Sequence, residues 1–324
     1  MSEQDMHLAE DTPSKRSRRL IKRSAIFIKE TRSLISQGRS RSVFTFYLFT
    51  LAVITLLLYV TIVSANAVNP DPDVRRTLGK TTFLAIALAQ FMAVLFIAPL
   101  VTADLVTAER ENNTFDLLRI TSLHAHSIIR GKLLAGFVYS LFLLLISLPL
   151  QSSAYLLGGV TPAEFLVIIL LLISTTLFLS SVSIWASTQV RRTSSAMGLA
   201  YMISSAILVG IPALAYVMIK LAPFPSDQAF FYTLHTLSKS LAPILQTTLI
   251  IVVWLLISTN PISTTIVSYN LFLDEGLRVV YDLSAYQIRV PFLAPWITFT
   301  LISLLTSWLF YRSAVRKIER SSKL

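Results

Sequence analysis

The chain has 324 residues and a formal net charge of +11, with 54% hydrophobic residues, 14% charged residues and no cysteine. Such a composition cannot cover the surface of a soluble globule, so the apolar excess faces lipid. The lack of cysteine excludes a disulfide framework and a thiolate metal site.

Residues 1–13 are polar and acidic and read as a disordered tail. In 14–41, Ile21, Ala25, Ile28 and Ile35 recur at helical spacing among basic residues, which predicts an amphipathic helix along the membrane surface. Such a helix either anchors on anionic lipid, at about 1 kcal/mol per charge near the surface, or also docks a cytoplasmic partner. Six apolar runs then approach the roughly 20 residues needed to cross a bilayer: 42–66, 82–106, 133–157, 163–188, 195–220 and 291–311. The first has no small-residue cleavage site, so it is expected to stay in the mature chain. The expected fold is an all-α polytopic membrane domain over 42–324 with six transmembrane helices.

Of the 28 basic residues, 21 lie in 15–41, 109–132, 191–192 and 312–323. The positive-inside rule places these four segments, and both termini, in the cytoplasm of a prokaryotic-type plasma membrane. A seventh apolar run, 241–259, would upset this balance if it crossed fully. It would put the basic tail outside and the slightly acidic 260–290 inside. A re-entrant helical element on the outer side, between spans five and six, satisfies the charges, and the break at Asn260-Pro261 suits its turn. A full span is the alternative.

Residues 109–132 form a polar, charge-rich segment between spans two and three, expected to hold a helix over 109–130. Asn113 followed by Asp116 reads as an N-cap with an acidic third position, with Glu109 and Glu111 just before the helix start. Phe115 and Leu118 lie along one side, and Asp116 and Arg119 make an i,i+3 pair on another. Gly131-Lys132 leads into span three, with Lys132 at the cytoplasmic interface.

The run Glu109-Arg110-Glu111, Thr114, Asp116-Leu117-Leu118, Thr121, Leu123, Ile128-Ile129 and Gly131-Lys132 resembles the membrane subunits of ABC-2 type ABC transporters. In that family E-x-E-x-x-T-x-[DE]-x-L-x-x-T, a Ser-containing turn, an aliphatic pair and Gly-Lys lie between spans two and three. This chain has Asn113 where a glycine is common, Ser122 where a proline is common and His124 where a serine is usual. The resemblance implies a permease subunit, an exporter, whose coupling helix seats in a separate ABC ATP-binding subunit. It also implies a connecting helix before span one and a second permease, as homodimer or heterodimer. Glu109, Glu111, Thr114, Phe115, Asp116, Leu118, Arg119, Thr121, Gly131 and Lys132 would then serve ATPase coupling. ATP and Mg would belong to the partner.

Catalytic signatures are missing. There is no G-x-x-x-x-G-K-[ST] phosphate loop, so the chain is expected to be a non-catalytic membrane subunit with no cofactor of its own. No ionisable residue falls near the middle of a predicted span, which weighs against an ion-coupled carrier. Scattered interfacial polar residues weigh against a lipid-modifying enzyme, and a non-transporting scaffold is the remaining alternative. The basic charge is absorbed by cytoplasmic anchors and requires no nucleic acid. Ala85, Ala89 and Ala93 form a small-residue stripe suited to close packing. Thr176, Ser180, Ser183 and Ser187 share one face of span four, as a pathway lining or as interhelical hydrogen-bond groups. Gln90 and Gln151 are further polar contacts in or near a pathway, and Pro99, Pro149 and Pro212 can kink their helices.

Overall fold

The computed structural model of the chain describes residues 27–34, 36, 38–68, 72–114, 124–156, 160–221, 241–274, 276–285 and 288–321. After a helical segment at 27–34 come α1 (Gly38–Val68), α2 (Pro72–Thr102), α3 (Asp104–Glu111), α4 (Ala125–Leu156) and α5 (Pro162–Gln189). These are followed by α6 (Thr193–Ser205), α7 (Ile211–Leu221), α8 (Leu241–Thr259) and α9 (Pro261–Asp274). Strands β1 (Val280–Ala285) and β2 (Ile288–Leu293) form an antiparallel hairpin, and α10 (Pro295–Ser321) completes the order.

Among the described residues, five helical stretches are long and apolar enough to cross a membrane. They are Ser42–Thr61, Gly79–Glu111, Ala125–Ser152, Pro162–Gln189 and Thr193–Val217. The bent pair Ile250–Thr259 and Pro261–Phe272 makes a sixth if it counts as one span. Backbone hydrogen bonds closed within each helix make such elements stable in lipid. The chain is a helical multi-pass membrane protein.

Several boundaries differ from those read in the sequence. The run at 291–311 does not begin as a span, because its first residues belong to β2, where Pro291 opposes Asp282. The helix starts at Pro295, where proline's fixed φ and missing N–H fit a first helical turn. α10 is absent from the crossing set, because its apolar part, which starts at Pro295 and carries five hydroxyl residues, meets Arg312 after only about five turns. α1 begins at Gly38, inside the predicted surface helix 14–41, while residues 1–26 lie outside the described residues. The apolar run 241–259 is helical, and a second limb, α9, follows it after a bend of 113°. That limb and the hairpin were not read from the sequence.

α5 is the centre of the bundle, with 67% of its apolar stretch buried against 12% for α1 and 11% for α6–α7. Its start is fixed locally by a capping box. Glu164 N donates to the Thr161 side chain, Thr161 N donates to Glu164, and Pro162 opens the helix. It packs on α2, α4, α6, α9 and α10. One core joins Phe83, Phe91, Leu171, Phe178, Phe272 and Phe299. A second joins Leu34, Tyr47, Ile97, Leu105, Ile129, Ile184 and Val315. The small-residue stripe on α2 does not simply close onto a neighbour. Ala89 and Ala93 border an apolar cavity of about 690 Å³ between α1, α2 and Tyr201 of α6.

The bend between α8 and α9 is held by Asn260, which is fully buried. Its Oδ1 accepts from the N–H groups of Ile262 (2.9 Å) and Ser263 (3.0 Å), capping α9. Its Nδ2 donates to the carbonyls of Ile207 (2.9 Å) and Leu208 (2.8 Å). Those carbonyls lie in a π-turn, Ala206–Gly210, between α6 and α7. There Ile211 N–H reaches back to Ala206 O, and Pro212 has no N–H to give.

Candidate functional site

The polar end of the bundle is organised by α3, the short helix that continues α2 past a break at Ala103. Pro99 and the contact of the Thr102 hydroxyl with Ala98 O precede that break. α3 ends in a Schellman turn: Thr114 N donates to Glu109 O at 2.9 Å and Asn113 N to Arg110 O at 3.2 Å. Asn113 has φ 55°, the left-handed region that glycine and asparagine tolerate best. Asn113 therefore closes α3, and Glu109 and Glu111 lie in its last turn. The residues that Asn113 was expected to cap, from 115 onward, lie outside the described residues. The segment 109–130 is not one helix, since 112–114 is a turn and 125–130 are the first turns of α4. Asparagine is a strong candidate for either end of a helix, and composition alone does not separate the two roles.

Lys132 is 1% exposed and lies in the third turn of α4, so its ammonium is held inside the bundle and does not reach water. Its Nζ donates to Leu105 O at 2.6 Å and to Glu30 Oε1 at 3.0 Å, and lies 2.9 Å from Glu109 Oε1. An ammonium has three donors, and all three are used. Lys29 stands at the rim, 3.8 Å from Glu30 and 3.9 Å from Glu109. Burial of a charged amine at this depth is sustained only by such pairing. One turn further along α4, Gly136 allows α2 to approach. A Cβ there would lie 1.9 Å from Thr102 Cγ2.

Two helix starts at this end have no side-chain cap of their own and borrow one. At α3, Ser187 Oγ of α5 accepts from the N–H groups of Val106 (3.2 Å) and Thr107 (3.1 Å). At α6, Glu111 accepts from Thr193 N–H and from the Thr193 hydroxyl, each at 2.8 Å. A carboxylate at a helix N-terminus is favoured by the unpaired N–H groups and the dipole. The end of α5 is served in turn by Arg110, whose Nη1 donates to Val190 O at 2.9 Å and Thr188 O at 3.3 Å. α3 is thus braced from α4, α5, α6 and the segment 27–34.

Of the residues read as coupling residues, the structure brings Glu109, Glu111, Thr114 and Lys132 together around α3. Gly131 lies beside Lys132 in α4. Phe115, Asp116, Leu118, Arg119 and Thr121 lie outside the described residues. The described side-chain contacts of Glu109 and Glu111 are made to the chain itself, and Glu111, Asn112, Asn113 and Thr114 are exposed. Glu30, Arg110, Thr193 and Leu105 were missed. The available signal for Glu30 was its being the one acidic residue in 14–41.

The mid-span polar residues divide differently. Thr176 and Ser183 hydroxyls donate to their own helix at Leu172 O and Leu179 O, and buried Ser180 Oγ has no partner among the described residues. Among the described residues, only Ser187 of that stripe bonds to another helix. Gln90 Nε2 donates to Ser147 Oγ at 2.9 Å, whereas both polar atoms of buried Gln151 are unpartnered among the described residues.

The span set and these contacts define the class as a helical multi-pass membrane protein with a braced helical arm at its polar end. No protein-family model matches the chain, and no curated protein matches its sequence.

Proposed function

We propose that the chain is the transmembrane permease subunit of an ABC-2 type ATP-driven transporter, an exporter, paired with a second permease and with separate ATP-binding subunits. The observation that carries this reading is the braced arm. A polar helix that continues an apolar span is tied along its whole length, from Val106 to its last residue Glu111, to four other elements, and is followed by an exposed turn at Asn112–Thr114. The motif residues Glu109, Glu111 and Lys132 supply part of that bracing. A helix so firmly braced, with an exposed turn at its end, suits a part that is pushed from outside the chain and passes the push on to its neighbours.

In this reading six spans cross the membrane, α10 being the last, and both termini are cytoplasmic. The α8–α9 pair is re-entrant, because a bend past a right angle turns α9 partly back along α8. Glu109 and Glu111 hold the arm in place, and docking of the ATPase falls to the tip and to 115–123. The low polarity of the spans favours an amphiphilic or lipid-like cargo. ATP and Mg sit in the partner, and this chain performs no chemistry.

The test is purification of the tagged chain from native membranes beside an Asp116→Ala/Arg119→Ala variant, with bound proteins identified by mass spectrometry and assayed for ATP hydrolysis. An ATPase retained by the parent and lost by the folded variant is the expected result. A folded parent chain that retains no ATPase from native membranes overturns the reading.

A further inference from the structure

The segment 27–34 is helical, and its inward positions are Phe27, Glu30 and Leu34, spaced i, i+3, i+7 along one face. Leu34 is buried in the core that also contains Leu105, Ile129 and Val315, and Phe27 packs on its edge. Glu30, in the middle of that face, is only 8% exposed. A helix resting on lipid would bury an apolar face, and an ionised carboxylate at its centre is incompatible with that seat. The carboxylate is instead matched by buried Lys132, which also holds Leu105 O and Glu109. Flanking apolar contacts give the segment adhesion without specifying its register. A one-turn slip would separate Glu30 from Lys132 and leave both charges buried without each other, so the charge pair admits one register only.

We infer that Glu30 and Lys132 form a charge key that fixes the segment 27–34 on α3 in a single register, so that segment and arm move as one body. The key also explains the pattern of charges nearby. Lys132 meets two carboxylates, and the rim ammonium of Lys29, 67% exposed, faces both of them and balances the group. Loss of Glu30 leaves Lys132 and Glu109 as a balanced pair inside the bundle, so the segment can be released without disturbing α3 and α4. This deepens the permease reading, in which a push on the arm would travel into the N-terminal helix, yet it concerns contacts within one chain and holds without any ATPase.

The absence of native cysteine makes the test direct. Spin labels are placed on Ile28→Cys and Asn112→Cys, both exposed positions, and the distance between them is read by double electron–electron resonance in the purified full chain. A reference pair on Arg191→Cys and Arg316→Cys reports the bundle. The unmodified background gives one narrow distance for each pair. Glu30→Leu is expected to abolish the single narrow distance between positions 28 and 112 while the reference pair is unchanged. Lys132→Met should have the same effect on the first pair. If that variant fails to fold, Glu30→Leu decides the matter alone, because it leaves no unpaired buried cation. A distance that stays narrow in Glu30→Leu overturns the charge key and assigns the docking to Phe27 and Leu34. An ATPase that still copurifies with Glu30→Leu separates this outcome from any failure of the permease reading.

Discussion

Asn260 should be a costly polar residue to remove from the bend between α8 and α9, and the reason lies in Pro212. Proline at 212 removes the N–H that would serve Leu208 O in an α-helix or Ile207 O in a π-turn. Asn260 Nδ2 donates to both carbonyls and so covers the one left by that missing N–H, and its Oδ1 caps α9 in the same gesture. Asn260→Leu keeps the volume and strands two carbonyls and two N–H groups. At about 1–3 kcal/mol per buried unsatisfied group, partly relaxed, the loss should be about 3–6 kcal/mol. Pro212→Ala restores one backbone N–H to the π-turn. In the double variant one of the stranded carbonyls regains a partner, so the two changes should be non-additive by about 1–2 kcal/mol. Unfolding free energies from titration with SDS in mixed micelles would measure all four corners of the cycle. Strict additivity would refute the reasoning, since it would mean that Asn260 does not answer the gap left by Pro212.

Other expectations follow from single contacts. Gly136→Ala places a Cβ 1.9 Å from Thr102 Cγ2 and should cost about 1–3 kcal/mol, most of it recovered by Thr102→Ser in the same micelle assay. Asn113→Gly should leave stability unchanged, whereas Asn113→Val should cost about 1–2 kcal/mol because a β-branched residue is strained at positive φ; equal stabilities would contradict the Schellman turn. Glu111→Ala should speed hydrogen exchange at the Thr193 amide and leave the α5 amides unaffected, and protection that persists would show that another group caps α6. Gln151→Met should raise stability by about 1 kcal/mol by removing a buried amide without partners; a fall would mean that something outside the described chain satisfies it.

The membrane class was legible because length and hydropathy act over twenty residues at a time, and α4 and α5 lie close to where the apolar runs put them. The hairpin escaped because β2 continues into α10 as one apolar stretch, and only the prolines at 291 and 295 mark the change. The partnership of Asn260 with Ile207 and Leu208 joins residues some fifty positions apart, and no local pattern announces it. Lys132 misled for a different reason. A lysine at the start of an apolar run normally reaches for water, and only the carboxylates of Glu30 and Glu109, brought in by tertiary contact, allow it to stay inside. The motif around Glu109 and Glu111 did not announce that their carboxylates bind Lys132 and Thr193 of the same chain.

The hydroxyls of α5 have a mechanical consequence. Ser174, Thr175, Thr176, Ser181 and Ser183 each return their proton to a carbonyl one turn back on the same helix. Along that length, then, the central shaft offers the described residues of its neighbours smooth contact without hydrogen-bonded rungs. Its described polar links to other elements crowd into its last turn, through Trp185 to Ser313, Ser187 to α3 and the terminal carbonyls to Arg110. A bundle fastened in this way is suited to fan about its fastened end. A small rotation there would sweep wide at the other end and break no hydrogen bond described along the shaft.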